Sequence, residues 1–225
     1  MASNKNMSEA ELHRGVIDEL RWDSRVDESD VGVAVDSGVV TLTGTVSSYA
    51  KKLAAQEAAH QVTGVLDVAN DIVVKVPTGL TRTDTEIAQA VRHTLEWDVL
   101  VPHEGIRTTV ANGWVTLEGT VTTWTDRRNA EEAVRFLAGV RGVTDKLVVT
   151  AAQVTAERVK HTIEGALARR MEREAERIRV GVFDGTVTLT GNVRTWNEKK
   201  AILGAVGHAA GVRAVEDHLR ICSGI

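Results

Sequence analysis

Apolar residues recur every fourth position at Leu12, Val16 and Leu20, again at Ile87, Val91 and Leu95, and once more at Val159, Ile163 and Leu167. That spacing puts each trio on one stripe of an amphipathic helix. Ser8 with Glu11, and Thr83 with Glu86, have the S/T-x-x-E spacing of a capping box and mark where the first two of these helices begin. The period then falls to two at Val31, Val33 and Val35, and at Ile178, Val180 and Val182, as expected of strands. Ser37-Gly38, Asn112-Gly113 and Asp184-Gly185 supply two-residue hairpin turns that accept positive φ. The strand after the first turn carries Val40, Leu42, Gly44 and Val46 on one face; a glycine there predicts close approach of another backbone, expected to be a helix. A second helix begins near Tyr49, Trp124 and Trp196, with Ala55, Ala58, Ala59 and Val62 on its inner side, matched by Ala130, Ala133, Val134 and Leu137. Gly64, Gly139 and Gly211 read as left-handed C-caps of that helix. Closing strands are expected at 72–76, 147–150 and 219–221, with Asn70, Asp145 and Asp217 at their entry.

The same text is therefore written three times. GVVTLTG at 38–44 becomes GWVTLEG at 113–119 and GTVTLTG at 185–191, with offsets of 75 and then 72 residues. Gly38, Gly44 and Gly64, then Gly113, Gly119 and Gly139, then Gly185, Gly191 and Gly211 form the repeating glycine signature. A helix crossing between the last two strands of each copy makes them parallel. The predicted fold class is α+β: three tandem αββαβ sandwiches, each a mixed three-stranded sheet with two helices on one face. The domains run 9–76, 84–150 and 155–221, with linkers at 77–83 and 151–154, an amino-terminal tail at 1–8 and a carboxy-terminal tail at 222–225. Copies this short bury only about 60% of their unfolded surface, so packing between copies is expected to help.

Helix, hairpin, the G-x-V-x-L-x-G strand, a helix of small residues and a closing G-V-x-x-V segment together resemble the BON domain, over nearly the whole chain and in three copies. The resemblance implies a non-enzymatic αββαβ module that binds phospholipid and is linked to osmotic or envelope stress. A cytoplasmic relative that pairs the domain with a LysM region is associated with potassium binding.

Composition agrees with a binding role and removes several others. One cysteine, Cys222, rules out an internal disulfide framework and a cysteine-rich zinc site. The seven histidines form no H-x-x-x-H or H-E-x-x-H pair, and neither a G-x-S-x-G elbow nor a Walker loop is present. No enzyme, catalytic residue, cofactor or metal ligand is predicted. Potassium is the exception to hold open, since carbonyl oxygens can bind it without a side-chain signature. The G-x-x-G at 139–142 lies between helix and strand rather than between two helices, and the net charge is −4, so no nucleic-acid partner is expected. The amino-terminal stretch has no apolar h-region, and no run reaches the roughly 20 apolar residues of a membrane span. The expected location is the cytoplasm, at most peripheral to a membrane.

Charge is uneven: the copies carry −6, −3 and +3. The excess in the third includes Arg169, Arg170, Arg173, Arg177 and Arg179. They read either as a lipid or anion contact, worth at most about 1 kcal/mol per residue, or as a helix compensated by Glu172, Glu174 and Glu176, the preferred reading. Trp22 and Trp97 are expected to cover part of the core at a helix end. Trp114 and Thr116 point away from Val115 and Leu117, so they mark the uncovered sheet face as a candidate domain or partner interface. The leading function is a non-catalytic triple-BON protein contacting phospholipid or membrane surfaces in a stress response. The alternatives are a potassium-binding sensor and a protein-interaction or chaperone-like scaffold, with self-association or a protein partner on the open faces.

Overall fold

The first helix of copies one and two starts as its sequence requires. The Ser8 hydroxyl accepts from the Glu11 amide at 3.2 Å while the Glu11 carboxylate accepts from the Ser8 amide at 2.8 Å, and Thr83 with Glu86 repeats the exchange. The computed structural model describes residues 7–150, 154–170 and 177–222. In chain order these form α1 (Glu9–Trp22), β1 (Val31–Asp36), β2 (Val39–Val46), α2 (Tyr49–Gln61), β3 (Asp67–Asn70) and β4 (Val73–Val74) in copy one. Copy two has α3 (Asp84–Trp97), β5 (Ile106–Ala111), β6 (Trp114–Val121), α4 (Trp124–Val134) and β7 (Gly142–Val149). Copy three has α5 (Ala156–Arg170), β8 (Ile178–Phe183), β9 (Thr186–Val193), α6 (Trp196–Gly207) and β10 (Ala214–Ile221).

Each sheet is a hairpin plus one closing strand, with the second hairpin strand in the centre: β1-β2-β3 with β4 also on β2, β5-β6-β7, and β8-β9-β10. The hairpins are antiparallel, and the closing strands of copies one and two run parallel to the centre. Turn residues Ser37, Asn112 and Asp184 sit at φ 51°, 52° and 43°, each followed by a glycine at 82°, 80° or 74°, the two left-handed residues of a type I′ turn. In copy one, Leu12, Val16 and Leu20 of α1 meet Val40, Leu42 and Val46 of the sheet, with Ala54, Ala55, Ala58 and Ala59 of α2 alongside. The corresponding stripes in the other copies, Ile87–Val91–Leu95 and Val159–Ile163–Leu167, are at most 3% exposed.

Four local expectations need correction. The closing strands begin well before 72, 147 and 219, at Asp67, Gly142 and Ala214, because the chain joins the ladder as soon as it leaves the helix turn. The amides of Leu66, Arg141 and Arg213 donate to the carbonyls of Gly38, Gly113 and Gly185 at 2.9, 2.9 and 2.8 Å. Gly64, Gly139 and Gly211 do have φ near 90°, but they lie in the turn beyond the helix; α2, for example, is closed by Val62 in an extended conformation. The backbone that approaches Gly44, Gly119 and Gly191 is the chain entering the first strand rather than a helix: a Cβ at these positions would land on the carbonyl oxygens of Asp30, Gly105 and Arg177. Asn70 and Asp145 lie inside the closing strand rather than at its entry. They tie it to the neighbouring helix: Asn70 donates to the Lys52 carbonyl at 3.0 Å, and Asp145 accepts from Arg127 Nε at 2.6 Å and from the Leu147 amide at 2.8 Å.

The described residues fall into two compact units, one drawn from 7–76, 192–200 and 219–222, the other from 77–150, 154–170, 177–191 and 201–218. The same pair of repeat positions locks helices together inside each. Within the first unit, Trp196 stacks on His60, and Asn197 donates to Gln61 Oε1 at 2.7 Å. Within the second, the Trp124 indole lies against Gly207 where a Cβ would be, and the Thr125 hydroxyl donates to the Gly207 carbonyl at 3.1 Å.

Candidate functional site

Trp22 and Trp97 do not cover the core. They are 85% and 76% exposed, because Leu20 and Leu95, two residues earlier and so on the opposite side of the helix, already fill the inward position. After each tryptophan the chain builds the same turn. Asp98 donates its amide to the Thr94 carbonyl at 3.1 Å, accepts from the Leu100 amide on its carboxylate at 2.9 Å, and accepts from the Val101 amide on its carbonyl at 3.0 Å. Asp23 repeats this toward Glu19, Arg25 and Val26 at 3.0 Å each. Val101 and Val26, 5% and 8% exposed, plug the turn into the core, so the two residues before them are held outward.

The copies differ in what that turn presents. Copy one offers Ser24 and Arg25, with Arg25 held by Asp23 at 2.7 Å and by Glu57 at 3.3 Å. The hydrogen bond from Arg25 keeps the Asp23 carboxyl below its ordinary range. Copy two offers Val99 and Leu100, 96% and 64% exposed beside Trp97. His93 lies against the Trp97 ring at 4.9 Å. An aromatic and two aliphatic side chains on one rigid turn expose apolar surface with no role in the core. The periodicity does not single out Val99 and Leu100; aligning WDSRV at 22–26 with WDVLV at 97–101 does, since two polar turn residues become aliphatic.

The arginines of copy three are not brought into one described cluster. Arg169 and Arg179 are exposed and Arg177 is half-buried, whereas Arg173 and the Arg170 side chain lie outside the described residues. Trp114 is on the outer sheet face, 53% exposed, its ring lying across Gly142 of the adjacent β7 where a Cβ would be. Thr116 is half-buried on the same strand. Among the described residues no group of three or more His, Cys, Asp or Glu is placed to hold a metal ion. None of the described helices is long and apolar enough to cross a membrane. The His60 imidazole is pushed down to about 4 by burial, and it belongs to a packing contact rather than a cleft.

Comparison with known proteins reflects the repeat. The sequence model described as BON domain matches residues 8–76, 83–151 and 155–223. Over 126 residues the chain is 29% identical to osmotically-inducible protein Y of Escherichia coli (strain K12), a match covering 54% of this chain and 63% of that protein. Among solved structures it is similar to CdsD, a structural protein of the type III secretion system of Chlamydia trachomatis. That likeness is 14% identity over 92% of this chain and 90% of the other, with a TM-score of 0.26. The C-terminal domain of CdsD gives 13% identity, 96% and 100% coverage, and the same TM-score.

Proposed function

From the premise that this chain belongs to the BON domain family in three tandem copies, we propose that it is a non-catalytic, stress-associated protein that meets anionic phospholipid surfaces through the turn after α3. One observation carries this reading: Trp97, Val99 and Leu100 stand 76%, 96% and 64% exposed on a turn fixed by Val101 and Asp98. A fixed apolar turn can enter an interface without losing much conformational freedom, and an aromatic beside it suits the headgroup level. The name of the Escherichia coli relative, osmotically inducible, supports the association with stress. Arg169 and Arg179 of copy three supply exposed cations for a second, weaker contact, and tethered copies add avidity.

The test is co-sedimentation with vesicles of phosphatidylcholine alone and of phosphatidylcholine with phosphatidylglycerol. The variant is Val99→Ser with Leu100→Arg, which writes the copy-one sequence into the same turn. Each aliphatic side chain buried in the interface is worth about 1.5–3 kcal/mol, so the double variant should bind vesicles at least about tenfold more weakly with unchanged thermal stability. Equal binding by variant and parent would overturn the reading, as would failure of the parent to bind either vesicle.

A further inference from the structure

The three copies hold the same hairpin turn in the same backbone conformation but treat its amides differently. In copy two, Asp84, the first residue of α3, accepts from the Asn112 amide at 2.7 Å and from the Gly113 amide at 2.8 Å. In copy one, Glu9 at the same place accepts from the Ser37 amide at 3.0 Å. In copy three the residue is Ala156, which brings no carboxylate, and the amides of Asp184 and Gly185 find no acceptor among the described residues. The capping carboxylates of Glu11 and Glu86 are also replaced there, by Arg158. The turn itself is kept, with φ of 43° and 74° against 52° and 80° in copy two. A cavity of about 390 Å³ borders it, lined by Thr155, Ala156, Asp184, Gly185, Gly211 and Arg213.

We propose that this corner of copy three is a binding site for a small carboxylate, which takes the two turn amides that Asp84 takes in copy two. The repeat supplies its own worked example of the complex: a carboxylate bridging two successive turn amides at 2.7 and 2.8 Å. Arg213 adds a cation to the cavity wall; its guanidinium meets Asp184 at 3.2 Å, and the Asp184 side chain is 78% exposed. The first turns of α1 and α3 each carry two acids, Glu9 with Glu11 and Asp84 with Glu86, whereas that of α5 sets Arg158 beside Glu157, so the repulsion an anionic guest would meet at this helix end is relieved in copy three. This inference does not depend on the lipid reading, which concerns a different turn in a different copy.

The experiment is amide NMR of the full chain, titrated with potassium acetate against potassium chloride at matched ionic strength. Phosphate forms a further arm to separate a carboxylate site from a general anion site. Asp184 and Gly185 should shift and saturate with acetate, half-complete on the order of 10 mM as suits two charge-assisted hydrogen bonds, while Asn112 and Gly113 stay still. Ala156→Asp should abolish the titration by supplying the carboxylate internally, and Asp84→Ala should make Asn112 and Gly113 respond in their turn. The proposal fails if the shifts do not saturate, if phosphate produces them as strongly, if all three turns move alike, if Ala156→Asp still titrates, or if Asp84→Ala leaves copy two silent.

Discussion

The indole of Trp196 lies flat against the imidazole of His60, ring centroids 3.7 Å apart and planes inclined by 21°. Both His60 Nε2 and Trp196 Nε1 are buried with no hydrogen-bond partner among the described residues, so the stack is a packing contact with polar atoms trapped in it. Asp67, Glu57, Lys199 and Lys200 face the imidazole, and burial dominates, pushing it from 6.5 down to about 4. The folded state therefore prefers the neutral ring. Stability from His60 is fully present above about pH 6.5 and is lost progressively as pH falls from there toward 4. Allowing for solvent screening of a half-buried group, the loss is about 1 kcal/mol. Thermal melts at pH 7.5 and pH 5 should show it, and His60→Phe, which stacks but takes no proton, should flatten the difference. An equal drop in both proteins would place the acid sensitivity elsewhere.

Gly44, Gly119 and Gly191 should be among the least replaceable positions. Each has φ above 120°, and a Cβ would strike the carbonyl of Asp30, Gly105 or Arg177, which is backbone and cannot swing aside. Alanine at any one of them should cost about 1–3 kcal/mol or more in chemical denaturation. Gly79 is the control: among the described residues, no atom outside its chain neighbours lies within 4 Å of its would-be Cβ. Gly79→Ala should be neutral or raise stability by up to about 1 kcal/mol, through the unfolded chain.

These glycines also show how far sequence alone reaches. The stripes at Leu12–Val16–Leu20 and its copies and the hairpin turns are local in origin, and local pattern displays them, as it displays the glycine at position 44. What crowds Gly44 is not local: Asp30 comes near only because β1 and β2 pair in a register that sets Val31 opposite Gly44. Trp22 and Trp97 were legible as helix-end aromatics, but their direction depends on Leu20 and Leu95 already holding the core position. Val99 and Leu100 were hidden because a single copy gives no reason to distrust an aliphatic residue, whereas two copies of one turn do. Ala156 carries even less signal by itself; only the hydrogen bonds of Asp84 give it meaning.

Glu131 makes the reverse pH prediction to His60. Burial first, and then the nearby Asp145 carboxylate, raise its carboxyl above the ordinary range, against the opposing pull of Arg135 and Arg127. A raised carboxyl favours the protonated form in the folded state, so its ionisation weakens the fold as pH climbs through the usual carboxylate range. Glu131→Gln should therefore raise the melting temperature at pH 7.5 and leave it unchanged at pH 4. A variant that melts lower at pH 7.5 would mean that Glu131 gives the fold a favourable charge interaction instead.

The Asp84 clamp should be worth more to copy two than the Glu9 contact is to copy one. Asp84 satisfies two turn amides and Glu9 one, and Glu9 reaches its partner from an exposed position on a longer side chain. A hydrogen bond to a charged group contributes about 1.5–3 kcal/mol in general and less near solvent. Asp84→Ala should then cost about 2 kcal/mol, while Glu9→Ala costs clearly less. Ala156→Asp, which rebuilds the clamp on the same turn geometry, should move stability the other way. Urea denaturation of the three variants checks the order, with hydrogen exchange at Gly113 reporting whether the loss at Asp84 is local to its turn. If Asp84→Ala melts with the parent and Gly113 keeps its protection, the carboxylate bridge does not hold the corner together.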